Sequence, residues 1–159
     1  MRLTTRSRYG VRAVFDLAYH SAGEPVQIKT IAERQRIGLR YLEQIFQQLK
    51  DAGLLGSKRG PAGGYFLLKS PADITVYDVV TATEGPIELV FCAGEPGVET
   101  PCDTRPCDRK GECPAGELWE ELGERIAEIF RGTTIEDLCR QAEALGLERV
   151  RASRLMFHI

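Results

Sequence analysis

Tyr9, Ala13, Val14, Leu17 and Ala18 recur three and four positions apart, the interval that gathers side chains on one face of a helix. With Thr4 and Thr5 available as caps, they predict a first helix to about Ser21, broken by Gly23-Glu24-Pro25-Val26. A short helix follows, Lys29 to about Gln35, with Ile28, Ile31 and Ala32 facing inward. The tight link Arg36-Ile37-Gly38 leads to a third helix, Leu39 to Ala52, whose stripe is Leu42, Ile45, Phe46 and Leu49 and whose end is marked by Gly53. Two helices joined by so short a turn predict a helix-turn-helix. Leu54–Lys58 and Tyr65–Leu68 then flank a glycine- and proline-rich tip, which reads as a β-hairpin. Thr75 with Asp78 three residues on predicts a capped helix to about Thr83, ended by Gly85-Pro86. After an aperiodic stretch, Pro114 opens a long helix, about Ala115 to Arg131, with Leu118, Leu122, Ile126 and Ile129 on one stripe and glutamates opposite. Thr134 caps a last helix to Leu145, stopped by Gly146.

The expected fold is mainly α with a small β-wing: a winged helix-turn-helix plus a long dimerisation helix. The expected organisation is a winged-helix domain over 1–85, a cysteine-rich loop over 86–114, a dimerisation helix and C-terminal helix over 115–146, and a basic tail over 147–159.

A helix-turn-helix presents its second helix to the major groove, N-terminal end first. Leu42 belongs to the core stripe, so Arg40, Tyr41, Glu43 and Gln44 are the side chains expected to meet bases and backbone. Arginine pairs bidentately with guanine, glutamine with adenine, and glutamate accepts from cytosine N4. Lys29 is placed for a phosphate, and the wing tip offers Lys58 and Arg59. Taken singly, each reads as a solvated surface residue; their grouping at the two places where a winged helix touches DNA argues for contact.

Charge sharpens this picture. The formal net charge of −2 hides a polarised chain. Residues 1–70 hold twelve Lys+Arg against five Asp+Glu, residues 71–146 six against seventeen, and residues 147–159 three against one. A basic module joined to an acidic one suits phosphate contact by one half alone. The 43% hydrophobic content suffices for a buried core. No apolar run approaches the roughly 20 residues of a membrane span, and the N-terminus lacks the pattern of a secretory signal. A cytoplasmic protein without membrane association is expected. No phosphate loop, triad-like grouping or cofactor fingerprint is visible, so an enzyme is not expected.

Of five cysteines, Cys92, Cys102, Cys107 and Cys113 fall in one short stretch, separated by nine, four and five residues, and Cys139 stands apart. Clustered thiols in a chain without an export signal point to a metal or redox site before a disulfide framework. The spacing favours an iron–sulfur cluster, with zinc and a metal-free redox thiol as alternatives, since structural zinc prefers two tight knuckles and this stretch has at most one. Arg105, Arg109 and Lys110 lie among the thiols and would favour thiolates and an anionic cluster. Cys139, mid-helix, reads as a buried small hydrophobe, and His20 as structural.

MRLTTRSRYGVRAVFDLA at the N-terminus, IAERQRIGLRYLEQIFQQLKDAGLL and RGPAGGYFLLKSPADITVYDVV together resemble the iron–sulfur cluster assembly regulator (IscR) family, with its nitric-oxide-sensing (NsrR) and cysteine-metabolism (CymR) relatives. The similarity covers about residues 1–145. It implies a homodimer built on the long helix, a cluster held by loop cysteines and binding to dyad-symmetric promoter DNA. Tyr41, Glu43, Gln44 and Arg59 match the family's DNA-contacting positions; Gly38 and Arg40 stand where the assembly-regulator branch tends to have serines. Cys92, Cys107 and Cys113 match the three family cysteines. Where that branch has a histidine three residues after the last cysteine, this chain has Gly116; where the nitric-oxide branch uses an acidic residue near position 8, it has Arg8. Cys102 is the substitute for the missing fourth ligand. The expected function is a transcriptional repressor that senses iron–sulfur or redox status through a [2Fe–2S] cluster. The alternatives are a nitric-oxide sensor with a [4Fe–4S] cluster and a metal-free thiol switch.

Overall fold

The computed structural model describes residues 4–87, 89 and 113–150. Helix α1 spans Thr5–His20, α2 Ile28–Gln35 and α3 Leu39–Asp51. Strands β1 (Leu55–Lys58) and β2 (Gly64–Leu67) form one antiparallel pair. A single 3₁₀ turn at Pro71–Asp73 precedes α4 (Val76–Glu84), and α5 (Pro114–Arg131) and α6 (Ile135–Ala144) complete the described chain. Every element predicted over these residues is present, with ends shifted by a residue or two, as fraying and capping allow. The winged helix is confirmed.

The apolar stripes do what their spacing demands. Leu42, Ile45, Phe46 and Leu49 of α3 are fully buried against Ala13, Val14 and Leu17 of α1 and Ile31 of α2. Each such Leu, Ile or Phe contributes about 1.5–3 kcal/mol of transfer free energy. Between α2 and α3 the link turns in so few residues because Arg36 adopts a left-handed conformation (φ 53°), letting the Ile37 N–H reach the Ala32 carbonyl at 2.9 Å and bury the Ile37 side chain.

Helix α1 approaches α4 closely at Gly10, where a Cβ would stand 3.2 Å from Thr83 Cγ2 and 3.3 Å from Val79 Cγ1. At the same junction the Glu84 carboxylate, at the end of α4, accepts from the Ser7 N–H at 3.0 Å and from the Thr4 hydroxyl. It thereby supplies an anion to the positive N-terminus of α1. Helices α4 and α6 both start with a reciprocal capping box, Thr75 with Asp78 and Thr134 with Asp137. The two starts are laced together, Val76 N–H to the Thr133 carbonyl at 2.9 Å and Ile135 N–H to that of Ile74 at 2.8 Å. Ile135, Cys139 and Ala142 of α6 consequently join the core of the winged helix.

Helix α5 differs. Its predicted stripe is largely solvent-facing: Leu118 is 58% exposed, Leu122 40% and Ile129 66%, with Trp119 alongside at 39%. Toward the rest of the chain it turns small residues, Gly123 and Ala127. Gly123 lets residues 87 and 89 pass alongside, its would-be Cβ 3.5 Å from the Ile87 carbonyl and 3.9 Å from Leu89 Cγ. Past α6, the backbone folds back over the end of α1, with the Tyr19 hydroxyl donating to the Leu147 carbonyl at 2.6 Å and the Val150 N–H donating to His20 Nδ1 at 3.0 Å. Among the described residues, no helix is long and apolar enough to cross a membrane.

Candidate nucleic-acid interface and cysteine segment

Because α3 buries one stripe completely, most of its other positions face solvent. Arg40, Glu43 and Gln44 are all exposed in its first two turns. Tyr41 is not free in the way its neighbours are. It is half-buried, and its ring meets Tyr9 of α1 edge-on, with centroids 6.0 Å apart and planes at 77°. Lys29 is exposed near the start of α2. Its ion pair with Glu33 at 4.0 Å joins two exposed side chains. Such a pair is worth little in water and is easily exchanged for a phosphate.

The wing is held against the helix-turn-helix by backbone. Val26, in the turn between α1 and α2, bridges Tyr65 of β2 in both directions, N–H to carbonyl at 2.9 and 2.8 Å. Tyr65 also sets its ring edge-on to Phe46 of α3, 4.8 Å between centroids. Two glycines make this possible. A Cβ on Gly64 would lie 2.4 Å from the Val26 backbone, and one on Gly63 2.3 Å from the Lys58 carbonyl. Gly60 at φ 112° turns the tip. The Arg-Gly-Pro-x-Gly-Gly-Tyr motif is thus a device for seating a hairpin on the α1–α2 turn, and it leaves Lys58 and Arg59 exposed at the tip.

A buried ion pair joins the first two helices. Asp16 is fully buried in α1 and accepts from Arg34 Nε at 3.1 Å to each oxygen and from Gln35 Nε2 at 2.8 Å. Gln35 in turn accepts from Arg12, whose Nε lies 3.1 Å from Gln35 Oε1 and whose terminal nitrogen donates to the Gln35 carbonyl. The available signal was an aspartate sitting within the apolar stripe of α1, next to Leu17 and three residues past Ala13.

Of the candidate ligands, Cys92, Cys102 and Cys107 lie outside the described residues. Cys113 is half-buried at the N-cap of α5 and makes no capping bond with its side chain. A Cβ on Gly116 would be 3.8 Å from Cys113 Cβ. Gly116, where the resemblance implied a histidine, is therefore adjacent to this cysteine and supplies no side-chain donor. Cys139 is nearly fully buried in α6, and burial pushes its thiol pKa up, as suits a core residue. Among the described residues no group of three or more His, Cys, Asp or Glu is placed to hold a metal ion. Of the four clustered thiols expected as cluster ligands, Cys113 alone lies among the described residues.

Comparison with known proteins agrees with this architecture. The chain is 39% identical over 147 residues to the HTH-type transcriptional regulator IscR of Pectobacterium carotovorum subsp. carotovorum (strain PC1), covering 92% of this chain and 84% of that one. It is similar in structure to T. potens IscR (TM-score 0.70, 32% identity, 93% of each chain). It is also similar to CymR, the global cysteine regulator of B. subtilis (TM-score 0.67, 33% identity, 89% of this chain and 98% of that one). These relatives are regulators rather than enzymes, and the profile of the Rrf2 family, described as "Iron-dependent Transcriptional regulator", matches residues 3–141. The chain belongs to the Rrf2 family of winged-helix transcriptional regulators.

Proposed function

We propose that this protein is a homodimeric repressor that binds dyad-symmetric promoter DNA with an affinity set by a [2Fe–2S] cluster. The observation that carries the DNA reading is the division of α3. Its apolar stripe is sealed in the core, while Arg40, Glu43 and Gln44 face solvent on a helix whose angle to the wing is fixed through Val26, Tyr65 and Phe46. In this reading Arg40, Tyr41, Glu43 and Gln44 meet bases and backbone, Lys29 holds a phosphate, and Lys58 and Arg59 reach the flanking groove. The exposed stripe of α5 supplies the subunit contact, since a folded monomer gains by covering Leu118, Trp119, Leu122 and Ile129.

Cys92, Cys107 and Cys113, with Cys102 as the fourth donor, would hold the cluster, which supplies an oxidisable and removable group. Residues 87 and 89 run along the middle of α5, and Cys113, one of the four thiols, stands at its N-cap. Fixing the thiols biases how α5 sits and with it the spacing of the two recognition helices. The test is anaerobic purification with iron and acid-labile sulfide assays, and a DNA titration before and after cluster removal. Two irons and two sulfides per chain are expected, with a change in promoter affinity on removal. Protein carrying neither after reconstitution overturns the cluster reading, and DNA control retained in Cys92→Ala/Cys107→Ala/Cys113→Ala protein points to a regulator that needs neither the cluster nor these thiols.

A further inference from the structure

We propose that Arg12, on α1, is a positioning residue that sets the orientation of Tyr41 and so the sequence selectivity of α3; this rests on the DNA-reading function proposed above. Arg12 is exposed, and an isolated surface arginine would spend its donors on water. Here two of them are taken up by one residue, Gln35, through its side-chain oxygen at 3.1 Å and its backbone carbonyl. That carbonyl belongs to the last residue of α2, where the helix is electronegative and a cation is favoured. Gln35 cannot turn away, because its amide nitrogen is held at 2.8 Å by Asp16, fully buried and itself gripping Arg34. The guanidinium is thus fixed from below by a buried carboxylate acting through one amide.

From this position the Arg12 guanidinium carbon stands 5.3 Å from the centroid of the Tyr9 ring, in cation–π range. Tyr9 meets the Tyr41 ring edge-on. Tyr41 lies in the first turn of α3, two and three residues before Glu43 and Gln44. One side chain therefore joins the end of the first helix of the helix-turn-helix to the start of the second, through contacts that are individually weak and jointly directional. A lysine cannot reproduce them: it lacks the planar fork that binds the two oxygens of Gln35 while keeping a flat face on the ring.

The rival role for an exposed arginine is a direct phosphate contact, and the two make opposite predictions. The full-length protein is used to select duplexes from a randomised pool. Binding of wild type, Arg12→Lys, Arg12→Met and Tyr9→Leu is then measured on the selected and a scrambled duplex over a range of salt. Positioning predicts that both Arg12 variants lose about tenfold on the selected duplex, within the range of coupling between contacting residues. Scrambled-duplex affinity and the salt slope stay unchanged, and Arg12→Met/Tyr9→Leu loses no more than the worse single variant. Rescue by Arg12→Lys, or a slope lowered by about 0.9 in Arg12→Met, assigns a phosphate contact and overturns the proposal. Equal losses on both duplexes with a lowered melting temperature reduce Arg12 to a stabilising residue and also overturn it. Wild type that selects no duplex sinks the DNA-reading function itself, an outcome distinct from any of these.

Discussion

A methyl group at position 64 has nowhere to go. The Val26 backbone stands 2.4 Å from where it would be, and backbone cannot step aside as a flexible side chain can. Gly64→Ala is expected to cost about 2 kcal/mol or more, as overpacked core sites do, and to unseat the wing; urea denaturation and binding to wing-length duplexes would read the two effects. His20 makes a different kind of prediction. Burial lowers its pKa, with Arg34 and Arg149 adding to the effect and Asp16 opposing it. The neutral ring is also the form that accepts from the Val150 N–H. A folded-state pKa below the unfolded value means that folding excludes a proton. The stability from this contact is therefore fully present above about pH 6.5. It is lost as the pH falls through the depressed value. His20→Asn, which keeps an acceptor but cannot titrate, should flatten the decline of melting temperature between pH 7 and 5; an identical decline in both proteins would refute this role for His20.

At the scale of elements, the apolar stripes of α1 and α3 and both capping boxes could be read from spacing alone, because each rests on contacts within a few residues or on burial of one face. The Asp16–Arg34–Gln35 group could not. Asp16 falls within the apolar stripe of α1, but no local pattern names the Arg34 and Gln35 partners that satisfy it from the next helix. Removing one partner tests the group: Asp16→Ala leaves the Arg34 guanidinium, only 15% exposed, without its carboxylate. The expected loss is about 3–5 kcal/mol, the range for a broken buried pair, measurable by chemical denaturation. The wing was equally legible from its glycines, but its attachment was not, since the one-residue bridge at Val26 pairs positions 39 apart in a segment with no strand pattern. For the hairpin tip, Arg59→Ala should weaken DNA binding and lower the salt slope by about 1; an unchanged slope in a salt titration would remove Arg59 from the interface. In the candidate site, the surface positions of α3 followed directly from its buried stripe. The tethering of Tyr41 by Tyr9 and Arg12 depends on how α1 crosses α3, which no local pattern encodes.

For the whole molecule, the proposed subunit contact rests on the long helix. Its stripe was visible in sequence as an apolar face, and the structure leaves that face uncovered while Gly123 and Ala127 make the contact with the rest of the fold. Leu122→Glu/Ile129→Glu protein is expected to sediment as a folded monomer, to keep weak affinity for a half-site and to lose most of its affinity for a full dyad. A dimer that survives both charges would place the subunit contact elsewhere. The uncovered face also bears on how steeply a target gene answers to the amount of protein. When self-association through α5 is weak at cellular levels, the assembled form scales with the square of chain concentration. Halving synthesis would then cut promoter occupancy about fourfold in the dilute limit, a dosage response that single-copy and multicopy strains can reveal without touching a cysteine.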